Sequence, residues 1–200
     1  MLAIVALAFL GYLFGTIQFG AIFARVFGLG DIRSIGSGNP GATNVLRTGH
    51  RLAAALTFAG DLLKGSIPVW IAAAFTDAPT WVVGIAPILG HVYPIWTKFK
   101  GGKGVATAAG AYLALSPIAF LVGVSTWLMV FALTRISSLS ALISVCGVVP
   151  LYASVNLCLG RCSWGTWAFS MAIMVLVCVT HAGNIRRLLD GREMKISQKP

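Results

Sequence analysis

The chain has 200 residues, of which 58% are hydrophobic and 10% are charged, and its mean hydropathy is +0.87. A soluble domain of this length would need far more polar surface, so the composition indicates an integral membrane protein. Fifteen Lys and Arg against five Asp and Glu give a net charge of +10. Most of these cations separate apolar stretches and form no basic patch on a soluble surface, so nucleic-acid binding is not expected.

Stretches free of Asp, Glu, Lys and Arg predict the membrane-spanning helices, because a span needs roughly 20 mainly apolar residues. The first stretch has no basic segment or cleavage pattern, so a retained helix is favoured over a signal peptide. A sixth candidate, 52–75, carries Asp61 and Lys64 on one helix face. The uninterrupted stretches are 1–24, 78–97, 104–134, 136–160 and 162–185.

The stretch from Gly104 to Thr134 decides the number of spans. Its 31 residues would form a helix of about 46 Å, and Ser116-Pro117 near the middle favours a break. Counted as one span, it divides the loop cations eight against six; counted as two, it leaves thirteen on one side against Arg161 alone. The positive-inside rule therefore predicts seven transmembrane helices with the N-terminus outside and the C-terminus cytoplasmic.

This topology puts every polar motif on the cytoplasmic side. The predicted fold is an all-α integral membrane protein, a single domain over 1–200, with re-entrant or structured cytoplasmic loops that form a site. The cysteines lack the spacing of paired metal ligands and are expected to pack in or beside apolar segments. The loops on the cytoplasmic side are 25–51, 98–103 and 135–140, together with the tail from 181.

The first cytoplasmic loop is dense in glycine and in small hydrogen-bonding side chains. Its glycines match the spacing GxGxxG, but no β-strand precedes them, so a dinucleotide site is excluded. Glycines allow a close approach to an anion, and the side chains around them can hold one. A glycine-rich turn without a ligand stays open as the alternative. The candidate ligands are Ser37, Asn39, Thr43, Asn44 and Arg47.

The second loop runs through Gly101-Gly102-Lys103-Gly104 directly into an apolar stretch. A glycine-rich segment before a helix is typical of a phosphate site, because free N–H groups and the positive end of the helix dipole meet there. Gly104 stands where a Walker A loop needs Ser or Thr, so ATP is not implied. The alternative is that Lys98, Lys100 and Lys103 only anchor the helix end at lipid headgroups.

The third loop and the tail supply further candidates. Ser138 lies where a helix starts and could bind substrate or simply cap that helix. A helical tail would put His181 and Asn184 on one face, where the imidazole could accept a proton or donate to a phosphate. A polar anchor remains the alternative for His181.

Asp61 and Lys64 are costly inside a membrane unless they are paired or face a polar cavity. A paired structural role is favoured for the two. The alternative is that Lys64 reaches the cytoplasmic mouth and adds charge to a ligand pocket.

Taken together, these motifs resemble those of the bacterial acyl-phosphate:glycerol-3-phosphate acyltransferases, seven-span enzymes that start phosphatidic acid synthesis. The resemblance covers almost the whole chain. The matching residues are Ser37 to Asn44 with Arg47, His91 and Pro94 with Phe99 to Thr107, Ser138-Leu139, His181 with Asn184-Ile185, Arg187-Leu188, and Gly191 with Glu193.

The resemblance implies transfer of an acyl group from acyl phosphate to the 1-hydroxyl of glycerol 3-phosphate, which yields lysophosphatidic acid and inorganic phosphate. Lys103 with the backbone of Gly101, Gly102 and Gly104 would hold one phosphate, and Arg47 with Ser37 and Asn44 the other. His181 would orient or deprotonate the hydroxyl, and Asn184 would steady the carbonyl or the glycerol. The remaining expected substrate-binding residues are Asn39, Thr43, Lys64, Ser138 and Glu193.

Direct transfer is favoured over a serine acyl-enzyme, because no Ser is flanked by a recognisable base and acid. No cofactor or metal is expected. Membrane lipid and a soluble acyl-phosphate-producing enzyme are candidate partners, and the expected location is the bacterial inner membrane with the site facing the cytoplasm. An organic-anion transporter is the main rival, although no repeated pair of broken helices is visible. A non-catalytic membrane scaffold would leave the phosphate-type loops unexplained.

Overall fold

The computed structural model describes residues 2–77 and 79–196, and every regular element in these residues is helical, as the composition predicts. The chain divides into two compact units, the first reaching Ala111 and the second beginning at Tyr112. The first unit holds α1 Leu2–Gly15, α2 Phe19–Val26, α3 Ala42–Leu46, α4 Arg51–Phe75, α5 Thr80–Val92 and most of α6 Val105–Leu115. The second holds the end of α6 with α7 Pro117–Thr134, α8 Ser137–Ala141, α9 Val149–Cys158, α10 Trp164–Thr180 and α11 Ala182–Leu189.

Four helical segments of the described chain are long and apolar enough to cross a membrane. A fifth is present if α10 and α11, which are bent by 65° relative to each other, count as one span. With 13 and 11 residues, α5 and α6 are shorter than a usual span. The four segments are Leu2–Val26, Arg51–Phe75, Pro117–Thr134 and Ser137–Cys158.

Two breaks in the helices differ in how well the sequence predicts them. The break at Ser116 is where the Ser-Pro pair predicts it, and the Ser116 hydroxyl accepts a hydrogen bond from the N–H of Ala119 at 3.4 Å. The span expected over 1–24 is present as Leu2–Val26, but its helix is interrupted, because α1 ends at Gly15 and α2 begins at Phe19. Gln18 is buried between them and donates to the carbonyl of His91 at 3.3 Å.

A π-helical segment, Leu142–Val148, joins α8 to α9. The N–H of Val149 donates to the carbonyl of Ser144, five residues earlier, while Pro150 has no N–H to give. The hydroxyl of Ser144 donates to the carbonyl of Gly123 in α7 at 2.7 Å. This hydrogen bond ties the widened turn to its neighbouring helix.

Helices α4 and α6 approach closely through reciprocal glycines. A Cβ atom at Gly65 would collide with the carbonyl oxygen of Thr107, and one at Gly110 would collide with the carbonyl oxygen of Leu62. Small residues at both contacts let the two backbones touch, which is a common way to pack helices in membranes. The first turns of α6 are thereby held against the middle of α4.

Replacing Gly65 with Ala is expected to lower the free energy of unfolding by about 1–3 kcal/mol, because the added methyl overpacks a backbone contact. Thermal unfolding of the detergent-solubilised protein measures this loss. Gly147→Ala is the matched control, since a Cβ at Gly147 meets nothing within 4 Å. Equal midpoints for the two variants would show that the α4–α6 contact is not tight.

Candidate active site

The first loop is organised around the side chain of Asn44, which is 1% exposed at the start of α3. Its amide nitrogen donates to the carbonyls of Ile32 at 2.7 Å and Ile35 at 3.0 Å. Its oxygen accepts from the N–H of Ser37 at 3.1 Å and from Arg47 Nη1 at 3.4 Å. Both amide hydrogens and the oxygen are thus used by the protein, which gives Asn44 the geometry of a loop-positioning residue.

The other candidates of this loop surround Asn44. Ser37 is exposed, while Asn39, Thr43 and Arg47 are partly buried. The side-chain oxygen of Asn39 is buried and accepts no hydrogen bond from the described residues. A side chain at Gly36 would meet Asn44 Oδ1 at 2.6 Å, so glycine is required where the loop folds over this amide. The loop therefore presents a hydroxyl and a guanidinium on a rigid frame.

The second loop does not present the backbone donors that the sequence predicts. The N–H of Gly101 donates to the carbonyl of Val92, and that of Gly102 to the carbonyl of His91, each at 3.0 Å. The expectation that these two N–H groups hold a phosphate is therefore wrong for this structure. Both glycines are needed for packing instead, because a Cβ at either position would collide with His91.

The turn before Lys103 has an unusual backbone. Lys98 and Phe99 both have positive φ, at 53° and 61°. Gly104, at φ +80°, then turns the chain into α6, which begins at Val105. The half-buried Lys103 thus lies just before a helix N-terminus, where the first N–H groups have no partners within the helix. The positive end of the helix dipole is therefore two residues from Lys103 in the chain.

Arg33 joins the first and second loops. Its Nη2 donates to the carbonyl of Lys100 at 3.1 Å. Sequence reasoning missed this residue, because nothing in the local pattern distinguishes Arg33 from any other loop cation. The structure thus brings the two motifs of the first unit together through a residue outside both of them.

Lys64 and Asp61 form an ion pair inside the first unit. Lys64 Nζ lies 2.7 Å from Asp61 Oδ1 and donates to the carbonyl of Ile17 at 2.6 Å, with 0% of its side chain exposed. His91 Nδ1 lies 3.5 Å from the same Asp61 oxygen. The geometry corresponds to the paired role that the sequence favours.

His181 lies at the bend between α10 and α11 and is 2% exposed. The sequence predicts one helix face that carries His181 and Asn184, whereas the structure breaks the helix at His181. Its Nδ1 lies 2.9 Å from the carbonyl of Val177. A carbonyl can only accept, so in the neutral ring Nδ1 carries the proton and Nε2 the lone pair. That tautomer suits a base or an acceptor.

Glu193 collects three donors from the second unit. Its Oε1 accepts from Asn184 Nδ2 at 2.7 Å and from the hydroxyl of Ser138 at 2.9 Å, and its Oε2 accepts from Arg187 Nε at 2.7 Å. Burial alone would raise the pKa of Glu193. The hydrogen bonds and the charge of Arg187 outweigh burial and hold its pKa below the usual range. Ser138, for which helix capping was the alternative, bonds Glu193, and α8 has no side-chain cap.

Local spacing in the sequence did not show that Glu193 pairs with Arg187. The signal available was the rarity of acidic residues, five in 200. A carboxylate in a chain with so many cations is expected to be paired. In the structure, its partners extend from Ser138 to Arg187, so Glu193 has the geometry of a residue that positions Asn184.

The fold and these clusters define a class: an integral membrane protein with cationic, hydrogen-bonding loops suited to phosphate-bearing molecules. The family model for glycerol-3-phosphate acyltransferase matches residues 5–191. The chain belongs to the glycerol-3-phosphate acyltransferase family.

Similar proteins cover nearly the whole chain. A glycerol-3-phosphate acyltransferase of Sinorhizobium medicae is 46% identical over 94% of this chain and 90% of its own length. The one from Thioalkalivibrio sulfidiphilus is 46% identical over 100% and 97%, respectively. A solved structure of PlsY, an integral membrane glycerol 3-phosphate acyltransferase in its glycerol 3-phosphate form, has a TM-score of 0.87 and 38% identity, with 96% of this chain and 95% of that one covered. The lysophosphatidic acid form has a TM-score of 0.84 and 36% identity, with the same coverage.

Glu193 is expected to make the stability of the protein depend on acid. A carboxyl whose pKa is lowered by folding stabilises the fold above its unfolded pKa, about 4.3, and loses this contribution as the pH falls through its folded pKa. Glu193→Gln should therefore have a lower thermal midpoint than wild type at neutral pH. The difference should shrink as the pH falls below about 4. A difference that does not change with pH would contradict an ionised Glu193 in the fold.

Proposed function

We propose that the chain transfers an acyl group from acyl phosphate to the 1-hydroxyl of glycerol 3-phosphate, giving lysophosphatidic acid and inorganic phosphate as the first step of phospholipid synthesis. Its membership of the acyltransferase family carries this proposal. The solved relative in glycerol 3-phosphate and lysophosphatidic acid forms supports the acceptor and the product. No observation favours the organic-anion transporter.

Acyl phosphate is the donor that best matches these residues. The hydroxyl oxygen attacks the acyl carbonyl, the bond from that carbon to the phosphate oxygen breaks, and inorganic phosphate leaves with the bonding electrons. The hydroxyl proton passes to a base or to the phosphate. Because the mixed anhydride is already activated, positioning and charge neutralisation supply most of the catalysis. No cofactor or metal is needed for this reaction.

We assign one phosphate to Arg47 and Ser37, with Asn39 and Thr43 beside them. The other belongs to Lys103 and the first N–H groups of α6, which follow Gly104. Asn44 acts through the loop it holds, by its hydrogen bonds to Ile32, Ile35 and Ser37. An ammonium and a guanidinium in two loops suit a reaction whose two substrates each carry a phosphate.

His181 is proposed to orient or deprotonate the acceptor hydroxyl through Nε2. Its Nδ1 contact with Val177 sets the tautomer that this role needs. Asn184 is proposed to steady the carbonyl or the glycerol while Glu193 and Ser138 hold it in place. A substrate phosphate is the alternative base, since its second pKa is near 6.

The proposed setting is the bacterial inner membrane, with the residues 1–200 acting as one acyltransferase domain. Seven spans, an outer N-terminus and a cytoplasmic C-terminus give the charge distribution that the positive-inside rule favours. A cytoplasmic site would receive glycerol 3-phosphate from the cytosol. Acyl phosphate would reach it through the surrounding membrane lipid or directly from a soluble acyl-phosphate-producing enzyme.

Purified wild-type protein is expected to make lysophosphatidic acid from acyl phosphate and glycerol 3-phosphate with no second enzyme. His181→Ala and Lys103→Ala should each lower turnover by about a hundredfold or more, the usual contribution of a catalytic acid–base or charge-stabilising group. Lys100→Ala, in the same loop, is the matched control for Lys103 and should stay close to wild type. Near-normal turnover in both test variants would remove these assignments.

The pH profile of His181→Ala separates the two candidate bases. If His181 removes the proton, its replacement abolishes the fall of kcat/KM at low pH. If the substrate phosphate is the base, the variant binds more weakly and the profile keeps its shape. Lysophosphatidic acid formation over a pH series is the measurement.

The seven-span topology is tested with single cysteines probed by a membrane-impermeant thiol reagent on intact cells, in a chain without native cysteines. Cysteines replacing Ser163 and Asp77 should be labelled from outside, because the proposed outer loops contain them. Cysteines replacing Arg135 and Lys195 should be labelled only after the membrane is opened. Outside labelling at Arg135 would contradict two spans between Gly104 and Thr134.

A further inference from the structure

The buried pair Asp61–Lys64 connects three parts of the first unit. Lys64 bonds the carbonyl of Ile17, where α1 gives way to α2, as well as Asp61 within α4. Asp61 in turn lies beside His91 at the end of α5. A single buried ammonium thus sits at the junction of α1, α4 and α5.

His91 carries this arrangement to the loop that contains Lys103. Its carbonyl accepts from the N–H of Gly102 at 3.0 Å and from Gln18 Nε2 at 3.3 Å. Its ring lies directly over Gly102, where no side chain could fit. Lys103 follows Gly102 in the chain, so the position of His91 determines the position of the Lys103 backbone.

Helix α4 also holds the far side of the same loop. One residue after Lys64, Gly65 packs against the carbonyl of Thr107 in the first turn of α6. The turn of α4 that carries Asp61 and Lys64 therefore contacts, through His91 and through Gly65, the segments on both sides of Lys103. A buried ion pair retained at this place fits a role in specifying geometry.

We propose that Asp61, Lys64 and His91 are positioning residues that hold Lys103 and the start of α6 in place for a substrate phosphate. Lys64 acts by neutralising Asp61 and by bonding Ile17, and it does not touch the substrate. This inference rests on the proposed phosphate-binding role of Lys103. A shift of about 1 Å in such a group can lower a rate about a hundredfold.

The test compares Lys64→Met with the double variant Asp61→Asn/Lys64→Met. The single variant leaves the Asp61 carboxylate buried without its ammonium, so kcat/KM for lysophosphatidic acid formation should fall about tenfold to a hundredfold. The double variant removes both charges. Its kcat/KM should be about tenfold higher than that of Lys64→Met, and its thermal midpoint should lie closer to that of wild type. Ser66→Ala, on the same helix, is the matched control and should stay near wild type, because Ser66 is buried and, among the residues described, its hydroxyl bonds only carbonyls of α4.

A double variant no better than Lys64→Met, or a Lys64→Met variant equal to wild type, overturns the proposal. The first result would mean that Lys64 contacts substrate directly. If Lys64→Met does not fold, Asp61→Asn is tested in its place, because asparagine has the same shape as aspartate. It should raise the KM of one phosphate-bearing substrate about tenfold, and an unchanged KM would overturn the proposal. A merely smaller folded fraction lowers apparent kcat and leaves KM unchanged. Failure of the wild-type protein to make lysophosphatidic acid would contradict the proposed function itself.

Discussion

Irregular backbone in a chain this apolar has to find its hydrogen bonds within the protein, because hydrocarbon offers none. The structure satisfies this constraint with a few polar side chains that reach the backbone where a helix ends. Lys64 bonds the carbonyl of Ile17 where α1 stops. In the first loop, which the sequence places outside the hydrocarbon, Asn44 bonds the carbonyls of Ile32 and Ile35 in the same way. Much of the remaining architecture of the first unit depends on these contacts.

The same constraint divides the residues of the motifs by task. Asn44 and Glu193 use their polar atoms to hold backbone or side chains of their own unit. Ser37 and Arg47 lie in the loop that Asn44 holds, and Lys103 follows Gly102, whose N–H bonds the carbonyl of His91. His181 lies at the bend just before α11, which carries Asn184. A substrate with a phosphate and an acyl carbonyl needs cations, donors and one basic nitrogen, and these residue types supply them.

The sequence predicts best what depends on local chemistry. Pro117 lacks an N–H and Ser116 can cap, so the break before α7 follows from two neighbouring residues. The motifs of the site likewise carry enough residues to indicate the family, which the comparisons confirm. The class of chemistry could therefore be reached before any coordinates.

Non-local contacts account for what the sequence missed. The gap between α1 and α2 contains no proline or charge. The carbonyl of Ile17 in this gap accepts a hydrogen bond from Lys64, 47 residues later. The sequence Gly101-Gly102-Lys103 does not distinguish a loop whose N–H groups face a phosphate from one whose N–H groups face a neighbouring carbonyl. Only the position of His91 and Val92 shows that they face carbonyls. For the same reason, Glu193 is a lone carboxylate in the sequence and the centre of a hydrogen-bonded cluster in the structure.

The hydrogen bond between Ser138 and Glu193 spans 55 residues and also has a consequence in time. During synthesis, α8, α9 and α10 are made before Glu193, so Ser138 is without this partner while its helix leaves the ribosome. The N–H of Ile196, which bonds the carbonyl of Arg135, arrives later still. The polar cluster of the second unit therefore forms only after all of its helices have been synthesised.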